Sequence, residues 1–440
     1  MVGEFAVHLA LHLQGKAFYT TPIKALSNQK FNEFVAMYGA DKVGLLTGDV
    51  SINSEANVIV MTTEVLRNML YVGSQTLQGL LHVVMDEVHY LADRNRGAVW
   101  EEVILHLPES VSVTALSATV SNAEEFGEWL TEVRGDTAVI VEEHRPVPLW
   151  QLVAADRKLH DLFVDEEQRR INPELLRLQR TAQSQAKAHR GRGNRQRFSQ
   201  NTPFKDRLIR ELESQSLLPA IYFIFSRKGC DQAVEEVVRA GLRLTTTEER
   251  TVIREIVENG VAELPDDDLV ALGYSSWAQA LEWGIAAHHA GLIPRFKEIV
   301  ESLFQKGLLK VVFATETLAL GINMPARSVV IDRLVKWNGD THVELSAGEY
   351  TQLTGRAGRR GIDDEGNAIV VWQSDLDPTS LAGLASTRTY PLRSSFRPSY
   401  TMAVNVVSNM GYQRATEILG LSFAQFQANS GVVNLSLIHI

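Results

Sequence analysis

The 440-residue sequence holds a single cysteine, Cys230, which excludes internal disulfides and cysteine-built zinc sites and suits a reducing cytoplasm. No apolar run approaches the roughly 20 residues of a membrane-spanning helix, so no membrane partner is expected. The opening "MVGEFAVHLALHLQG" has no basic leader. With Glu4, His8 and His12 it reads as an amphipathic helix rather than a signal peptide. Positive charge is also in deficit. A net charge of −10 excludes a simple basic coat for nucleic acid, so any phosphate contact must come from local groups acting against the overall field. Finally, no G-x-x-x-x-G-K-[ST] loop occurs anywhere. "QGKAF" (14–18) has Gly-Lys but neither the upstream glycine nor the following hydroxyl.

What is present describes a globular α/β protein. Hydrophobic content of 45% and charged content of 22% at this length imply two or three domains. Short apolar runs at 17–21, 43–47, 58–62, 82–86, 113–117 and 138–142 read as buried strands. Helix-period stretches such as Lys24–Tyr38, Glu64–Tyr71 and Asn122–Thr131 lie between several of them. The alternation predicts a parallel sheet covered on both faces. It then recurs with strands at 220–225, 284–289, 310–315, 328–334 and 367–372, so two α/β units in series are expected.

"HRPVPL" (144–149) reads as the hinge between them, because two prolines stiffen an extended connector. Residues 168–197 carry nine Lys/Arg against one acid, Glu174, with few apolar residues after Thr181. The favoured reading is a solvated, disordered insert; the alternative is a basic tether that touches RNA phosphates.

Two patterns carry chemistry. In "LLHVVMDEVHYLAD" (80–93) an apolar strand ends in Asp86 and Glu87, with His89 two residues on. Open α/β sheets bind ligands at strand carboxyl ends. An Asp there can hold Mg²⁺ through water, and a neighbouring Glu can deprotonate an attacking water. In "YTQLTGRAGRRG" (350–361), Arg356 and Arg359 share a face if the segment is helical, and paired guanidiniums suit a phosphoryl group. Carboxylates in one unit and arginines in the other would link ATP hydrolysis to closure of a shared cleft.

With these patterns in order, the chain resembles a superfamily 2 DExH-box RNA helicase of the superkiller or antiviral type, with a bacterial, actinobacterial member the nearest likeness. The resemblance rests on "TTPIKALSNQKF", "TGD", "MTTEVLRNML", "DEVH", "SAT", "AAHHAGLIPRFKEIVE", "ATETLALGINMPA" and "QLTGRAGRRG", and it covers nearly the whole chain. It implies two tandem RecA-like domains, 1–143 and 144–390, the second carrying the insert 168–197. "FRPSYTMAVNVV" resembles the entry to a helical winged-helix region, 391–440. The cofactors implied are ATP and Mg²⁺, and the partner is single-stranded or partly duplex RNA, in the setting of RNA-decay machinery.

By position, the resemblance implies that Asp86 holds Mg²⁺, Glu87 is the general base and His89 couples the site to the second domain. Arg356 and Arg359 become arginine fingers, with Gln352 near the γ-phosphate. Gly321 and Asn323 line the nucleotide, and Ser117 and Thr119 link hydrolysis to strand contacts. A DNA translocase of the same superfamily, or a non-catalytic nucleic-acid-binding protein, would carry many of the same motifs.

A nucleic-acid track is expected from threonines at strand-to-helix turns: Thr20 and Thr21 before Pro22, Thr62 and Thr63, and Thr315 and Thr317. Each is expected to cap a helix whose free N–H groups face a phosphate, with Lys24 and Arg227 adding charge. Asn338-Gly339 signals a hairpin, either a solvent-facing turn with no further role or one on which Trp337 acts as a wedge stacking on a base. The adjacent His288 and His289 point to opposite faces of a strand and are expected to be structural. The opening resembles the helix that follows a phosphate loop, and the chain stops inside a helical module. The expectation is therefore a fragment, inactive alone.

Overall fold

Runs such as Val58–Thr62 and Leu80–Met85 have almost no polar face, so they are stable only between other strands with helices above and below. The computed structural model bears this out. It describes residues 1–118, 120–142, 144–156, 158–165, 167–189, 204–319, 324–337, 341–387, 389 and 391–438. The chain forms two units: Met1–Glu143 together with Thr389–Ile440, and His144–Arg388.

In the first unit the strands are β1 (Lys16–Thr21), β2 (Val43–Leu46), β3 (Ser51–Ile52), β4 (Val58–Thr62), β5 (Leu80–Met85) and β6 (Ser112–Ala115). Among the described residues they form a six-stranded sheet in the order β3-β2-β4-β1-β5-β6. Every pairing is parallel except β2 with β3. Helices Val2–His12, Lys24–Tyr38, Thr63–Val72, Ala98–His106 and Ala123–Arg134 cover it. One face packs around Trp100, Trp129 and Val83; the other around Val7, Phe34 and Val84.

The second unit contains β7 (Leu149–Ala155), β8 (Lys158–Asp161), β9 (Ala220–Phe223), β10 (Ile285–His288), β11 (Val311–Ala314), β12 (Ser328–Ile331) and β15 (Gly366–Val371). Their order is β10-β11-β9-β12-β15-β7-β8, parallel apart from the edge strand β8. A separate hairpin pairs β13 (Val335–Trp337) with β14 (His342–Glu344). Two parallel-dominant sheets with a helical C-terminal region match the tandem RecA-like class that the resemblance implied.

Three details differ from expectation. Residues 138–142 form no strand: Ile140 is 90% exposed and finds no partner strand. The insert is not structureless throughout, since Pro173–His189 is a helix with Leu175 fully buried; 190–197 lie outside the described residues. The segment expected to be a hinge is anchored in the second unit. Arg145 donates to the Ala357 carbonyl at 2.6 Å, and Val147 is buried.

The C-terminal helices Tyr400–Gly420 and Phe423–Ile438 pack within the first unit. Phe423 is fully buried, 5.2 Å from the Trp129 ring and 5.4 Å from that of Phe126. Trp129 also donates its indole N–H to the Leu421 carbonyl at 2.7 Å.

Candidate active site

In the first unit, β5 delivers Asp86 to a place where backbone bonds fix its main chain. The Asp86 N–H donates to the Thr20 carbonyl at 2.9 Å, and the Val88 N–H donates to Leu116 at 2.8 Å. Between them Glu87 takes the left-handed conformation (φ 53°), an uncommon geometry for a residue with a side chain. The Glu87 N–H then donates to Asp86 Oδ1 at 3.0 Å, while the Tyr19 hydroxyl donates to Oδ2 at 2.7 Å. Burial pushes the Asp86 carboxyl up, and the two hydrogen bonds work against that rise. The described residues contain no group of three or more His/Cys/Asp/Glu able to cage an ion. One carboxylate at a strand end fits Mg²⁺ that keeps most of its water and is shared with a phosphate substrate, rather than a self-contained metal site.

His89 is 6% exposed. Burial drops its pKa to about 4, so the ring is neutral at physiological pH. Its Nδ1 lies 3.3 Å from Glu87 Oε2 and accepts the Ala118 N–H at 3.3 Å. Accepting from Ala118 requires a bare Nδ1 and puts the proton on Nε2. We therefore read the Glu87 contact as proximity, not an ion pair. Within one unit the fold thus joins Asp86, Glu87 and His89 to the segment Ser117–Ala118; Thr119 lies outside the described residues.

The threonines at the strand-to-helix turns do not make the expected caps. Thr20, Thr21 and Thr63 are fully buried. Thr20 Oγ1 donates to Val84 O (3.2 Å), Thr21 Oγ1 to Ile23 O (3.0 Å) and Thr63 Oγ1 to Thr21 O (3.2 Å). Neither Thr62 nor Thr315, each at an N-cap, makes a side-chain cap; the Thr315 hydroxyl meets that of Thr317 at 2.9 Å. The hydroxyls therefore brace the turns instead of capping them. Lys24 is paired with Asp49 of "TGD" at 2.8 Å. Arg96, which the motif reading passed over, ties two track turns together by bonding both the Pro22 carbonyl and Glu64.

In the second unit, the arginine segment is not helical. The helix Ala347–Thr354, capped by Ser346 and Glu349, ends at Gly355. Gln352 lies half-buried in its last turn, and Arg356 and Arg359 follow in a loop. That loop is stitched to Ala326: its N–H donates to Arg356 O at 2.9 Å, and its carbonyl accepts Gly358 N–H at 2.8 Å. Gly358 has φ 82°, and an added Cβ would sit 2.7 Å from the Val147 side chain, so glycine is required. Arg356 bonds the Ala319 carbonyl. Arg359 makes a bidentate pair with Asp363, both contacts 2.8 Å. Burial would raise the Asp363 carboxyl, but the Arg359 guanidinium outweighs it and holds it below the usual range. Asp363 is a second residue that motif reading missed; its signal was the acid four residues past Arg359. Gly321 and Asn323 lie outside the described residues.

Arg227 is exposed at the start of helix Arg227–Arg239, beyond β9. On the hairpin, Trp337 is 54% exposed and edge-on to His342 at 5.1 Å, while the turn 338–340 is outside the described residues. Lys336 bridges Glu316 (2.5 Å) and Glu349 (2.6 Å). Burial works against its charge, but the two carboxylates hold its pKa above the ordinary value. His288 and His289 face opposite ways, to Glu301 at 2.8 Å and Asp231 at 2.9 Å.

Comparisons with known proteins give the family. Residues 4–126 match the DEAD/DEAH box helicase model, and 266–361 match the helicase conserved C-terminal domain. The chain belongs to the DEAD/DEAH-box helicases. It is 58% identical over 444 residues to the "Probable helicase HelY" of Mycobacterium tuberculosis, covering 99% of this chain and 49% of that protein. It is 41% identical to the "DExH-box ATP-dependent RNA helicase DExH15 chloroplastic" of Arabidopsis thaliana, covering 93% of this chain and 37% of that one. It is 39% identical to "Superkiller complex protein 2" of Mus musculus, covering 97% and 35%. This helicase chain thus spans about half the length of the mycobacterial relative and just over a third of the other two. No helix among the described residues is long and apolar enough to cross a membrane.

Proposed function

We propose that this chain is the core of an ATP-dependent RNA helicase that couples ATP hydrolysis to movement along RNA and separation of duplexes. The observation that carries the reading is the end of β5, where Asp86, a conformationally forced Glu87 and a buried neutral His89 meet Ser117–Ala118. Glu87 takes the proton of the attacking water, and Arg356 and Arg359 neutralise charge as the terminal phosphoryl group departs. Mg²⁺, held by Asp86 through water, would shield the phosphate oxygens. Gln352, at the end of its helix, orients the same water or phosphoryl group; Gly321 and Asn323 line the nucleotide, and Ser117 and Thr119 pass its state to the strand contacts.

Nucleic acid is held along Thr20, Thr21, Pro22, Lys24, Thr62, Thr63, Arg227, Thr315 and Thr317, largely through the backbone of the turns on which these residues stand. Such contacts ignore base identity, which suits a motor that steps along any sequence. RNA is favoured over DNA by the likeness to the Arabidopsis thaliana RNA helicase, and a cytoplasmic role in RNA processing or decay by the family resemblance. Competition between RNA and DNA strands of one sequence tests the choice: RNA should displace a labelled RNA strand at lower concentration, and equal displacement would favour the DNA translocase.

The 440 residues contain no G-x-x-x-x-G-K-[ST], so the main phosphate donors are missing from the chain. By itself it should therefore show little or no RNA-stimulated ATP hydrolysis in a coupled assay. Robust turnover by the purified chain would contradict that expectation of inactivity.

A further inference from the structure

Away from the motif loops, the second unit carries a groove of about 360 Å³ between the β7–β8 edge and the helix Lys205–Ser214. Ala154 and Leu208 form its floor, and Lys158, Arg207 and Arg210 surround it, with Glu211 the one acid. Among the described residues none of these three cations has an ion-pair partner, although the protein as a whole is acidic. Glu211 is turned to Gln215 at 2.8 Å. Three like charges around one concavity repel each other, and an anion in the groove relieves that repulsion. Beside them Phe204 is 59% exposed, and the Arg207 guanidinium lies 5.2 Å from its ring centroid.

We propose that this groove is an accessory anchor for single-stranded nucleic acid, separate from the motif track. It rests on the nucleic-acid reading above. The cations take successive phosphates, and the Phe204 face takes a base; this pairing of basic groove and aromatic platform holds single strands without reading sequence. An acidic protein surface would use the charges but leave the exposed ring without a purpose. The position supports the same choice. Lys158 pairs with Ala155 at the carboxyl end of β7, the edge of the sheet at which Arg227 follows β9 and Thr315 follows β11. β9 and β7 are three strand spacings apart, about 14 Å, which a run of about four nucleotides would span.

The test is the salt dependence of binding of fluorescein-labelled oligouridylate to the 440-residue chain, read by anisotropy. Replacing Lys158, Arg207 and Arg210 together by Gln should weaken binding at least about tenfold at low salt. It should also make the slope of log K against log salt shallower by about 2, the value for three single-strand phosphates. A variant with R207K and R210K should keep the wild-type slope, which separates charge from folding. Phe204→Ala should cost about fivefold or more at unchanged slope. If the Gln variant keeps the wild-type slope while Arg227→Gln weakens binding, the anchor is wrong and the helicase reading stands. Absence of RNA binding by the wild-type chain would overturn both. Polyglutamate competing as well as RNA at equal charge would overturn the nucleic-acid assignment of the groove.

Discussion

Glu101 is a carboxylate with no place in the motifs, yet it fastens the C-terminal helices to the first unit. It is fully buried, accepts the Ser394 hydroxyl, and accepts the Phe423 N–H at 2.8 Å at the start of the last helix. Burial raises its pKa to about 7 against those hydrogen bonds. A carboxyl raised in the folded state contributes stability that is fully present below its unfolded value and is lost as pH climbs through 7. Buried His89, lowered to about 4, has the opposite sign: its contribution is present above about 6.5 and is lost as pH falls. The two slopes oppose each other between about pH 4.5 and 6.5, so the effect of Glu101 is isolated only by difference. Urea unfolding should show the stability of wild type relative to Glu101→Gln falling by about 2–3 kcal/mol between pH 4.5 and 7.5. A pH-independent difference would mean that Glu101 does not titrate there.

At the scale of elements, the alternation of buried strands with helices was legible because parallel strands covered on both faces leave unbroken apolar runs. Lys24–Tyr38 has the bounds that its periodicity predicts. What the pattern could not show was partner choice. Ala138–Glu142 has strand composition but no neighbour, and β7 and β8 are not among the strands the pattern predicts, their pairing being to distant β15 and to each other. The threonines stand at the expected turns, yet whether a hydroxyl caps a helix or bonds a neighbouring carbonyl is decided by tertiary contacts. For the same reason Arg356 and Arg359 are carried by a loop stitched to Ala326, not by a helical face.

That loop makes a prediction. Gly358→Ala meets both a left-handed backbone and the Val147 side chain, and should destabilise the second unit by about 1–3 kcal/mol in thermal or urea unfolding. A change within experimental error would show that the loop relaxes freely. The hairpin makes another. If exposed Trp337 parts base pairs, the change corresponding to Trp337→Ala in an intact homologous helicase should reduce unwinding at least about tenfold while RNA-stimulated ATP hydrolysis is retained. Parallel loss of both would assign the tryptophan to the fold.

For the whole molecule the proposal is that the acidic end of β5 and the arginine loop, each built within its own unit, are both required for ATP hydrolysis. Each assembly is complete locally: Asp86 is set by Tyr19 and the β1 backbone, and Arg359 is set by Asp363. The direct measurement uses a chimera in which this chain replaces the matched 444 residues of the Mycobacterium tuberculosis relative. RNA-stimulated phosphate release would be followed alongside binding of a fluorescent ATP analogue. Glu87→Gln and Arg359→Ala should each slow release by at least about a hundredfold, with analogue binding retained in Glu87→Gln. Wild-type turnover in either variant would contradict the account.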